Sequence, residues 1–365
     1  MTLHRYFGLR FLKTFLAIFA VFFGLAILFD LTEQVRRFAG ADVGFGEIVQ
    51  LTLLSAPVGF YRLMPLLVII STLTLLISMA RSSELVVARA SGRSALRSLY
   101  APMVVAFLIG LVAIMVFNPL VAAMSKEYES RSNQINEGTA SILSISDEGL
   151  WLRQGGPEGQ TVIRALNSNL DGTTLQSVTF MSFAPDGAPT RRIEARNATL
   201  ESGNWVLREA KVWPLSSAPN PEQSAQAFAT LSVPSTLTRD GIRDSFGTPS
   251  AIPIWELPAF IAQLDGAGFS ARRHAVWFQM ELALPIFLVA MLLVGAGFTM
   301  RHTRVSNTGL MVLYAIMLGF ALYFIRNFAQ ILGENGQMPI LLAAWAPPLG
   351  AIGLALGLLL HLEDG

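Results

Sequence analysis

Residues 80–97, ARSSELVVARASGRSALR, form a short charged segment between two long apolar runs. The segment contains four arginines and one acid, Glu84, in a chain of which only 14% is charged. The flanking runs, 51–79 and 101–124, are each long enough to cross a hydrocarbon core of about 30 Å as a helix. The segment therefore predicts a loop that joins two membrane spans.

Apolar runs of this length recur along the whole chain. The chain has 365 residues, 53% of them hydrophobic, and a mean hydropathy of +0.52, which exceeds what a soluble domain needs. We predict six transmembrane helices, at 12–29, 51–79, 101–124, 275–300, 308–325 and 340–360. The first run is longer than the roughly 7–15 apolar residues of a signal peptide, so we interpret it as a retained span.

Positive charge predicts the orientation of these spans. Basic residues gather before the first span, in the quoted segment and between spans four and five, at His4, Arg5, Arg10, Lys13, Arg81, Arg89, Arg93, Arg97, Arg301, His302 and Arg304. Because basic loops stay in the cytoplasm, these places share one side if both termini are cytoplasmic. Residues 125–272 would then lie outside, together with Arg36, Arg37 and Arg62, which depart from the pattern.

Between the third and fourth spans the sequence changes to short alternating runs separated by turn residues. In RRIEAR, Ile193 and Ala195 alternate with charged residues, as expected of a half-buried strand. The triplets SGN at 202–204 and PDG at 185–187 are typical of turns. Many short strands predict a sandwich or a jelly-roll-like sheet, and a flexible loop is the alternative.

A short helix is predicted immediately before the fourth span. Leu257, Ile261 and Leu264 recur at helical spacing, and Gly266 and Gly268 favour a helix end. We expect this amphipathic helix to lie on the outer membrane surface, with a plain linker helix as the alternative.

The quoted segment itself has the features of a helix. Ser82 can act as its N-cap, which places Glu84 in the first turn, where the helix dipole favours an acid. Gly92 can end the helix in a left-handed conformation. The apolar run 85–88 would lie outside the membrane, and exposed apolar helix faces usually dock on a partner. The alternative is a solvated loop whose arginines only set the topology.

Several classes of function are disfavoured by what the sequence lacks. A net charge of +1 without a basic domain argues against a nucleic-acid partner. The chain has no cysteine, hence no disulfide and no cysteine-bound metal. It contains no G-x-x-x-x-G-K-[ST] and no H-E-x-x-H motif, which argues against a P-loop ATPase and a membrane metalloprotease. We expect no cofactor on this chain, so that a separate ATPase or an ion gradient would drive any transport.

The segment RSSELVVARASG resembles the cytoplasmic loop of the LptF/LptG permeases, the YjgP/YjgQ family of the lipopolysaccharide export ABC transporter. The resemblance extends to HRYFGLRFLKTF, LTEQVRRF, LSAPVGFYRLMPLL and MPILLAAWAPP. Within the family the loop is closer to the LptG branch. The resemblance implies a membrane α-helical protein of the bacterial inner membrane, with three spans on either side of a periplasmic β-jelly-roll-like domain.

The resemblance divides the chain into four parts. Residues 1–124 would hold spans one to three with a cytoplasmic coupling helix at 82–92, and residues 125–250 the periplasmic domain. Residues 251–272 would form the amphipathic linker helix and residues 273–365 spans four to six. The implied function is that of a permease subunit that extracts lipopolysaccharide from the inner membrane and passes it to a periplasmic bridge toward the outer membrane.

The implied partners are lipopolysaccharide and other proteins of the exporter, with no nucleic acid among them. They are an LptB-like ATPase dimer that binds ATP and Mg²⁺, an LptF-like sister permease, a single-span LptC-like protein and a periplasmic LptA-like bridge. The chain itself would be a non-catalytic subunit. The alternatives are an ion-coupled transporter, which needs polar groups at the membrane midplane, and a membrane scaffold that does not transport.

By resemblance, the quoted loop couples to the ATPase through Glu84, Leu85, Val87, Ala88, Ser91 and Gly92. Glu84 would pair with a basic residue of the ATPase, and Val87 and Ala88 would pack in its groove. An acid that interacts only with the helix dipole is the alternative for Glu84.

Three arginines are candidates for binding lipopolysaccharide phosphates, because guanidinium groups match phosphate geometry and stay charged. Arg36 and Arg37 match a basic pair that the family has just outside span one, and Arg62 could face the same cavity. Interfacial snorkelling is the alternative for all three.

Glu281 and Arg326 are ionisable groups within or at the edge of spans four and five. Such groups are costly in lipid, so we expect them to face a cavity or a partner. The family has a basic residue at the position of Glu281, which therefore has a different role here or pairs with a basic group, such as one on the sister chain. Pro65 and Pro285 are expected to kink their helices. In the family, spans one and five form lateral gates for lipid.

Overall fold

A computed structural model of the chain contains two compact units. The helical unit comprises Met1–Ile135, Ser250–Trp255 and Arg272–Gly365, and the sheet unit comprises Asn136–Pro249 and Glu256–Ala271. The structure describes residues 2–39, 43–90, 94–135, 143–146, 149–156, 159–169, 172–215, 220–238, 242, 248–266, 269–300 and 308–363.

The helical unit begins with a 36-residue helix and continues through two spans joined by a short helix. The elements are α1 (Thr2–Arg37), α2 (Phe45–Arg62), α3 (Met64–Arg81), α4 (Glu84–Ala90), α5 (Ala95–Val112), a π-helical turn (Ala113–Phe117) and α6 (Asn118–Ile135). The third span thus continues as helix through residues 125–135, which the sequence had assigned to the outer domain.

The sheet unit is one antiparallel sheet in which the described strands follow each other in chain order. They are β1 (Leu143–Ser146), β2 (Gly149–Gly156), β3 (Gly159–Ser168), β4 (Thr174–Phe183), β5 (Pro189–Glu201), β6 (Asn204–Pro214) and β7 (Gln226–Pro234). The hydroxyl of Thr236, just after β7, donates to the carbonyl of Gly155 on β2 at 3.1 Å. This hydrogen bond between strands that are far apart in the strand order shows that the sheet curls. The inserted β domain is confirmed, and its sheet is compatible with a jelly-roll-like fold.

The local predictions for this unit hold residue by residue. Ile193 and Ala195 on β5 are buried while their charged neighbours point outward. The turn between β5 and β6 places Ser202 and Gly203 at φ of 46° and 81°, and Gly187 has φ of 85° in the turn before β5. Glycine reaches this left-handed region without the steric cost that a Cβ imposes.

The helix predicted before the fourth span forms as α7 (Leu257–Gly266). Leu264 is 1% exposed in the core of the sheet unit, and Phe260 and Ile261 pack against the same core. The apolar residues of this helix therefore pack on the sheet, which an amphipathic pattern alone does not reveal. A position of the helix on the outer membrane surface stays a prediction.

Four further helices complete the helical unit: α8 (Arg272–Leu282), α9 (Leu284–Thr299), α10 (Thr308–Glu334) and α11 (Ile340–Glu363). Among the described residues, five helical segments are long and apolar enough to cross a membrane, and α8 with α9 makes a sixth if the bent pair is one span. The predicted number of six spans is therefore confirmed when the bent pair is counted as one span. The basic residues at 301–304 lie outside the described residues.

Prolines break two of the spans, as predicted. The first break falls at Leu63, between α2 and α3, just before Pro65. The second falls at Ala283, where α8 and α9 meet at 52° just before Pro285. Proline has no N–H to donate and its ring clashes with the preceding turn, so the helix bends there.

The α9 helix forms the centre of the helical unit. It is apolar on all sides, and Phe287, Leu288 and Met291 are each 0% exposed, as expected of a helix surrounded by others. Gly110 of α5 allows a close approach, since a Cβ there would lie 2.5 Å from the Cα of Pro285. The helices α5 and α9 therefore pack closely at the bend between α8 and α9.

Candidate coupling helix and intramembrane cavity

The short helix α4 starts two residues later than predicted. Ser82 ends α3, and Ser83 takes a left-handed conformation with φ of 57° between the two helices. The Ser82 hydroxyl donates to the Glu84 carboxylate at 2.7 Å. Ser82 therefore orients the first acid of α4 rather than capping the helix. Ser91 and Gly92, which we expected to end the helix and to contact an ATPase, lie outside the described residues.

Glu84 is bound by residues of its own chain. Arg10 of α1 forms an ion pair and a hydrogen bond with Oε2 of Glu84, and the Tyr6 hydroxyl donates to the same oxygen at 3.1 Å. Arg10 also donates to Tyr6 at 2.6 Å and to Ser78 at 3.2 Å. The hydrogen bonds from Arg10 and then Ser82 hold the pKa of Glu84 below its usual value.

This contact adds a partner of Glu84 that the sequence did not indicate. The sequence suggested either a partner on the ATPase or an acid that interacts only with the helix dipole. The structure places Arg10 of α1 beside Glu84, and the contact with an ATPase stays a prediction. Sequence spacing could not reveal the pair, because Arg10 and Glu84 are 74 residues apart in the chain. Arg10 and Tyr6 were missed as site residues for the same reason.

The apolar residues of α4 face two directions. Leu85 is 9% exposed and belongs to the same buried cluster as Phe7 and Met79, so it attaches α4 to the helical unit. Val87 is 68% exposed and points away from that cluster. Val87 is thus available to a partner and Leu85 is not. The structure does not describe the side chain of Ala88.

The adjacent arginines at the end of α1 point to different neighbours. Arg36 forms an exposed ion pair with Glu33, one turn earlier, at 2.8 Å. Arg37 donates to the hydroxyl of Tyr128 on α6 at 3.0 Å. The two side chains therefore do not form one phosphate clamp in this structure.

A polar network that the sequence did not reveal connects the same end of α1 to two other helices. The hydroxyl of Ser55 on α2 donates to Asp30, and Gln34 donates to Ser55 at 3.1 Å. Tyr128 of α6 donates to Gln34 at 3.1 Å. In a membrane the apolar surface of a helix can face lipid as well as another helix, so it does not by itself select a neighbouring helix. Hydrogen bonds between polar side chains help to hold particular helices together.

The three remaining charged candidates line one cavity of about 250 Å³ in the helical unit. Arg62 comes from the break between α2 and α3, Glu281 from α8 and Arg326 from α10. Arg62 is exposed, whereas Glu281 is 2% exposed. The expectation that Glu281 and Arg326 face a cavity is consistent with this placement, and Arg62 shares that cavity rather than the neighbourhood of Arg36.

Glu281 is held where three irregular spans meet. The hydroxyl of Tyr61, two residues before the break at Leu63, donates to Oε2 of Glu281. Asn118, directly after the π-helical turn, donates to the same oxygen at 3.3 Å and accepts from the Ile254 amide at 2.9 Å. The carboxylate thus has partners on its own chain, so the structure does not require a basic group on a sister chain to satisfy it.

Arg326 reaches the same cavity from α10. Its Nη2 donates to the carbonyl of Met280 at 3.4 Å, and its Cζ lies 5.3 Å from the centroid of the Phe287 ring. Together Arg62 and Arg326 give the cavity two guanidinium groups, a chemistry suited to an anionic group such as phosphate. Among the described residues, no cluster of His, Asp and Glu could hold a metal ion.

The fold and the site define a multi-pass membrane protein with an inserted antiparallel sheet and a charged cavity between its helices. The family described as Lipopolysaccharide export system permease LptF/LptG matches residues 5–361. The chain therefore belongs to the LptF/LptG family, as its loop and layout had indicated, and is a multi-pass protein of the inner membrane.

Two relatives are similar to the chain over nearly their whole length. The lipopolysaccharide export system permease protein LptG of Haemophilus influenzae is 23% identical over 355 residues, covering 95% of each chain. The LptG protein of Escherichia coli K12 is 24% identical over 380 residues, covering 98% of each chain. Both are named LptG, in agreement with the branch that the loop had indicated.

Proposed function

We infer that this chain is a transmembrane permease subunit of an ABC transporter that extracts lipopolysaccharide from the inner membrane and passes it to a periplasmic bridge toward the outer membrane. The observation that carries this inference is the family match, which extends over residues 5–361. The order of spans, sheet and spans agrees with it. ATP hydrolysis then belongs to a separate chain, because this sequence has no P-loop motif.

In this proposal both termini and α4 face the cytoplasm, and the sheet unit faces the periplasm. The basic residues in the first turns of α1 and in the segment between α3 and α5 support this orientation. The contact between Arg10 and Glu84 supports it too, since it places the start of α1 and the start of α4 at the same end of the helical unit.

The partners of such a subunit are an LptB-like ATPase dimer that holds ATP and Mg²⁺, an LptF-like sister permease, an LptC-like single-span protein and an LptA-like bridge. We assign the docking of the ATPase to α4. The exposed face of Val87 supports this assignment, because an apolar side chain outside the membrane gains from being covered.

The docking assignment is tested by recovering the ATPase with the tagged permease in mild detergent. Val87→Glu should lower this recovery about tenfold, which corresponds to about 1.4 kcal/mol. Phe45→Glu is the matched control, because Phe45 is also 68% exposed but begins α2 at the other end of the helical unit. Equal recovery with Val87→Glu and with the parent would remove α4 as the docking helix.

Lipopolysaccharide phosphates are the proposed ligands of Arg62, with Arg36 and Arg37 as further candidates. The cavity that Arg62 shares with Arg326 supports the first, whereas Arg37 is occupied by Tyr128. Arg62→Glu should therefore slow lipid loading in a reconstituted assay more than the double change of Arg36→Glu and Arg37→Glu. Normal loading by both variants would remove the arginines from the lipid path.

A further inference from the structure

The charged cavity of the helical unit is lined by groups of both signs. Arg62 and Arg326 supply two guanidinium groups, and Glu281 supplies one carboxylate. Within the part of the chain that the structure describes, the carboxylate accepts from Tyr61 and Asn118 and forms no ion pair with either arginine. Both charges are therefore available to a group that enters the cavity.

The two oxygens of the Glu281 carboxylate have different surroundings. Tyr61 and Asn118 both donate to Oε2, and no other described residue donates to Oε1. A carboxylate has about four acceptor sites on its two oxygens, so the two donors occupy Oε2 and leave Oε1. Because Glu281 lines the cavity and is only 2% exposed, a partner of Oε1 has to come from within the cavity.

The cavity lies nearer to one end of the spans than to the other. Arg272 donates to the carbonyl of Gly333 at 2.6 Å, so the start of α8 and the end of α10 lie at the same end. Measured along the helices, Glu281 is about 14 Å and Arg326 about 12 Å from that end. Since the headgroup layers extend the bilayer from about 30 Å to about 40–45 Å, a lipid headgroup entering from this side can reach both residues. In the proposed topology this is the periplasmic side.

The charges of the cavity match a headgroup that carries a phosphate and an amine. Guanidinium groups bind phosphate oxygens, and a carboxylate binds an ammonium group through a charge-assisted hydrogen bond. A phosphate without an amine would bring a second negative charge close to Glu281, which is unfavourable in a poorly hydrated cavity. Phosphoethanolamine carries both groups, and a cavity of about 250 Å³ holds a group several times larger than a water molecule of about 30 Å³.

We propose that this cavity is a binding site for a phosphoethanolamine headgroup, with the phosphate at Arg62 and Arg326 and the ammonium group at Oε1 of Glu281. The inference rests on the lipid phosphate that the proposed function places at Arg62, and it adds Glu281 as the residue that selects the amine. Two lipids carry this chemistry: phosphatidylethanolamine of the membrane, and lipopolysaccharide whose phosphate bears ethanolamine.

The first test compares two soluble lipids with the same phosphate, dihexanoyl phosphatidylethanolamine and dihexanoyl phosphatidylethanol, which lacks the amine. Calorimetric titration of the full chain in detergent should show about tenfold tighter binding of the lipid with the amine, the lower end for a hydrogen bond to a charged group. Glu281→Gln keeps an acceptor for Tyr61 and Asn118 but loses the charge. It should weaken the binding of phosphatidylethanolamine about tenfold without weakening that of phosphatidylethanol, whereas a purely structural role would weaken both.

Two further variants separate this inference from the phosphate site on which it rests. Glu47→Gln removes the same charge from an exposed residue of α2 and should leave both affinities unchanged. Arg62→Gln should weaken the binding of both lipids, and unchanged binding of both would overturn the phosphate placement itself. Equal affinity of the parent for the two lipids, or an amine preference that survives in Glu281→Gln, would overturn the role of Glu281.

The second test distinguishes the two sources of the headgroup. The complex is reconstituted in phosphatidylglycerol vesicles, and loading of lipopolysaccharide with and without phosphoethanolamine is measured. If lipopolysaccharide is the source, the parent loads the amine-bearing form about tenfold better and Glu281→Gln loses that preference. If the membrane phospholipid is the source, phosphatidylethanolamine added to the vesicles lowers the loading of unmodified lipopolysaccharide by the parent and not by Glu281→Gln. Absence of both effects would overturn the proposal.

Discussion

Removing the Tyr61 hydroxyl tests whether Glu281 holds the irregular spans together. Tyr61 is 6% exposed and donates to a carboxylate that is 2% exposed, so Tyr61→Phe takes a donor from a buried acid and leaves the ring in place. Losing one such hydrogen bond destabilises a protein by about 2 kcal/mol. The loss stays below that of a fully unpaired buried charge, because Asn118 still donates at 3.3 Å.

The change is measured as the thermal unfolding midpoint of the purified chain in detergent. About 2 kcal/mol corresponds to a decrease of roughly 4–8 °C for a unit of this size. Tyr323→Phe is the matched control: Tyr323 lines the same cavity, and among the residues that the structure describes, the Glu281 carboxylate accepts from Tyr61 and Asn118 and not from Tyr323. Two results would refute the reasoning. One is a midpoint for Tyr61→Phe within about 1 °C of that of the parent, and the other is an equal decrease for Tyr323→Phe.

Three other predictions concern packing and pH. Gly110→Ala should destabilise the helical unit by about 1–3 kcal/mol, because its Cβ would meet the proline that begins α9 at 2.5 Å. Gly353→Ala, with no atom within 4 Å of the added Cβ, should stabilise the same unit by up to about 1 kcal/mol, and thermal unfolding of both variants checks the opposite signs. Leu264→Ala should destabilise the sheet unit by about 2–5 kcal/mol, measured by its resistance to proteolysis, since Leu264 is 1% exposed; unchanged resistance would contradict the packing of α7 on the sheet. The hydrogen bond from Arg10 lowers the pKa of Glu84 below 4.5, so this contact stabilises the fold above pH 4.5 and is lost as the pH falls through the lowered value. The distance between spin labels on α1 and α4 should therefore stay constant from neutral pH down to 4.5 and broaden only at more acidic pH. Broadening above pH 4.5 would contradict this account.

Features that depend on local pattern could be predicted from the sequence. The apolar runs gave the spans, and the positions of Pro65 and Pro285 gave the two breaks, because proline acts on the helix that contains it. The alternation around Ile193 and the glycine at 203 gave a strand and its turn for similar reasons. Each of these signals extends over a few residues, which is the range that a sequence pattern reports.

Contacts between distant residues could not be predicted in this way. The partner of Glu84 lies on α1, and the partners of Glu281 lie on α2 and α6, 220 and 163 residues away in the chain. Leu85 and Val87 looked equivalent in an apolar run, and only the packing of α4 shows that one is buried and the other exposed. The sequence therefore indicated candidate site residues such as Glu84 and Glu281, but not the side chains of the same chain that contact them.

The measurement that tests the proposed function most directly is a mild-detergent purification of the tagged chain from its native membranes, with every co-purifying protein identified. We expect an ABC ATPase and a second six-span permease to be recovered with it. Loss of the ATPase but not of the second permease in the Val87→Glu variant would place the docking on α4. Recovery of the chain alone, from a preparation in which other ABC complexes stay intact, would contradict the assignment as an exporter subunit.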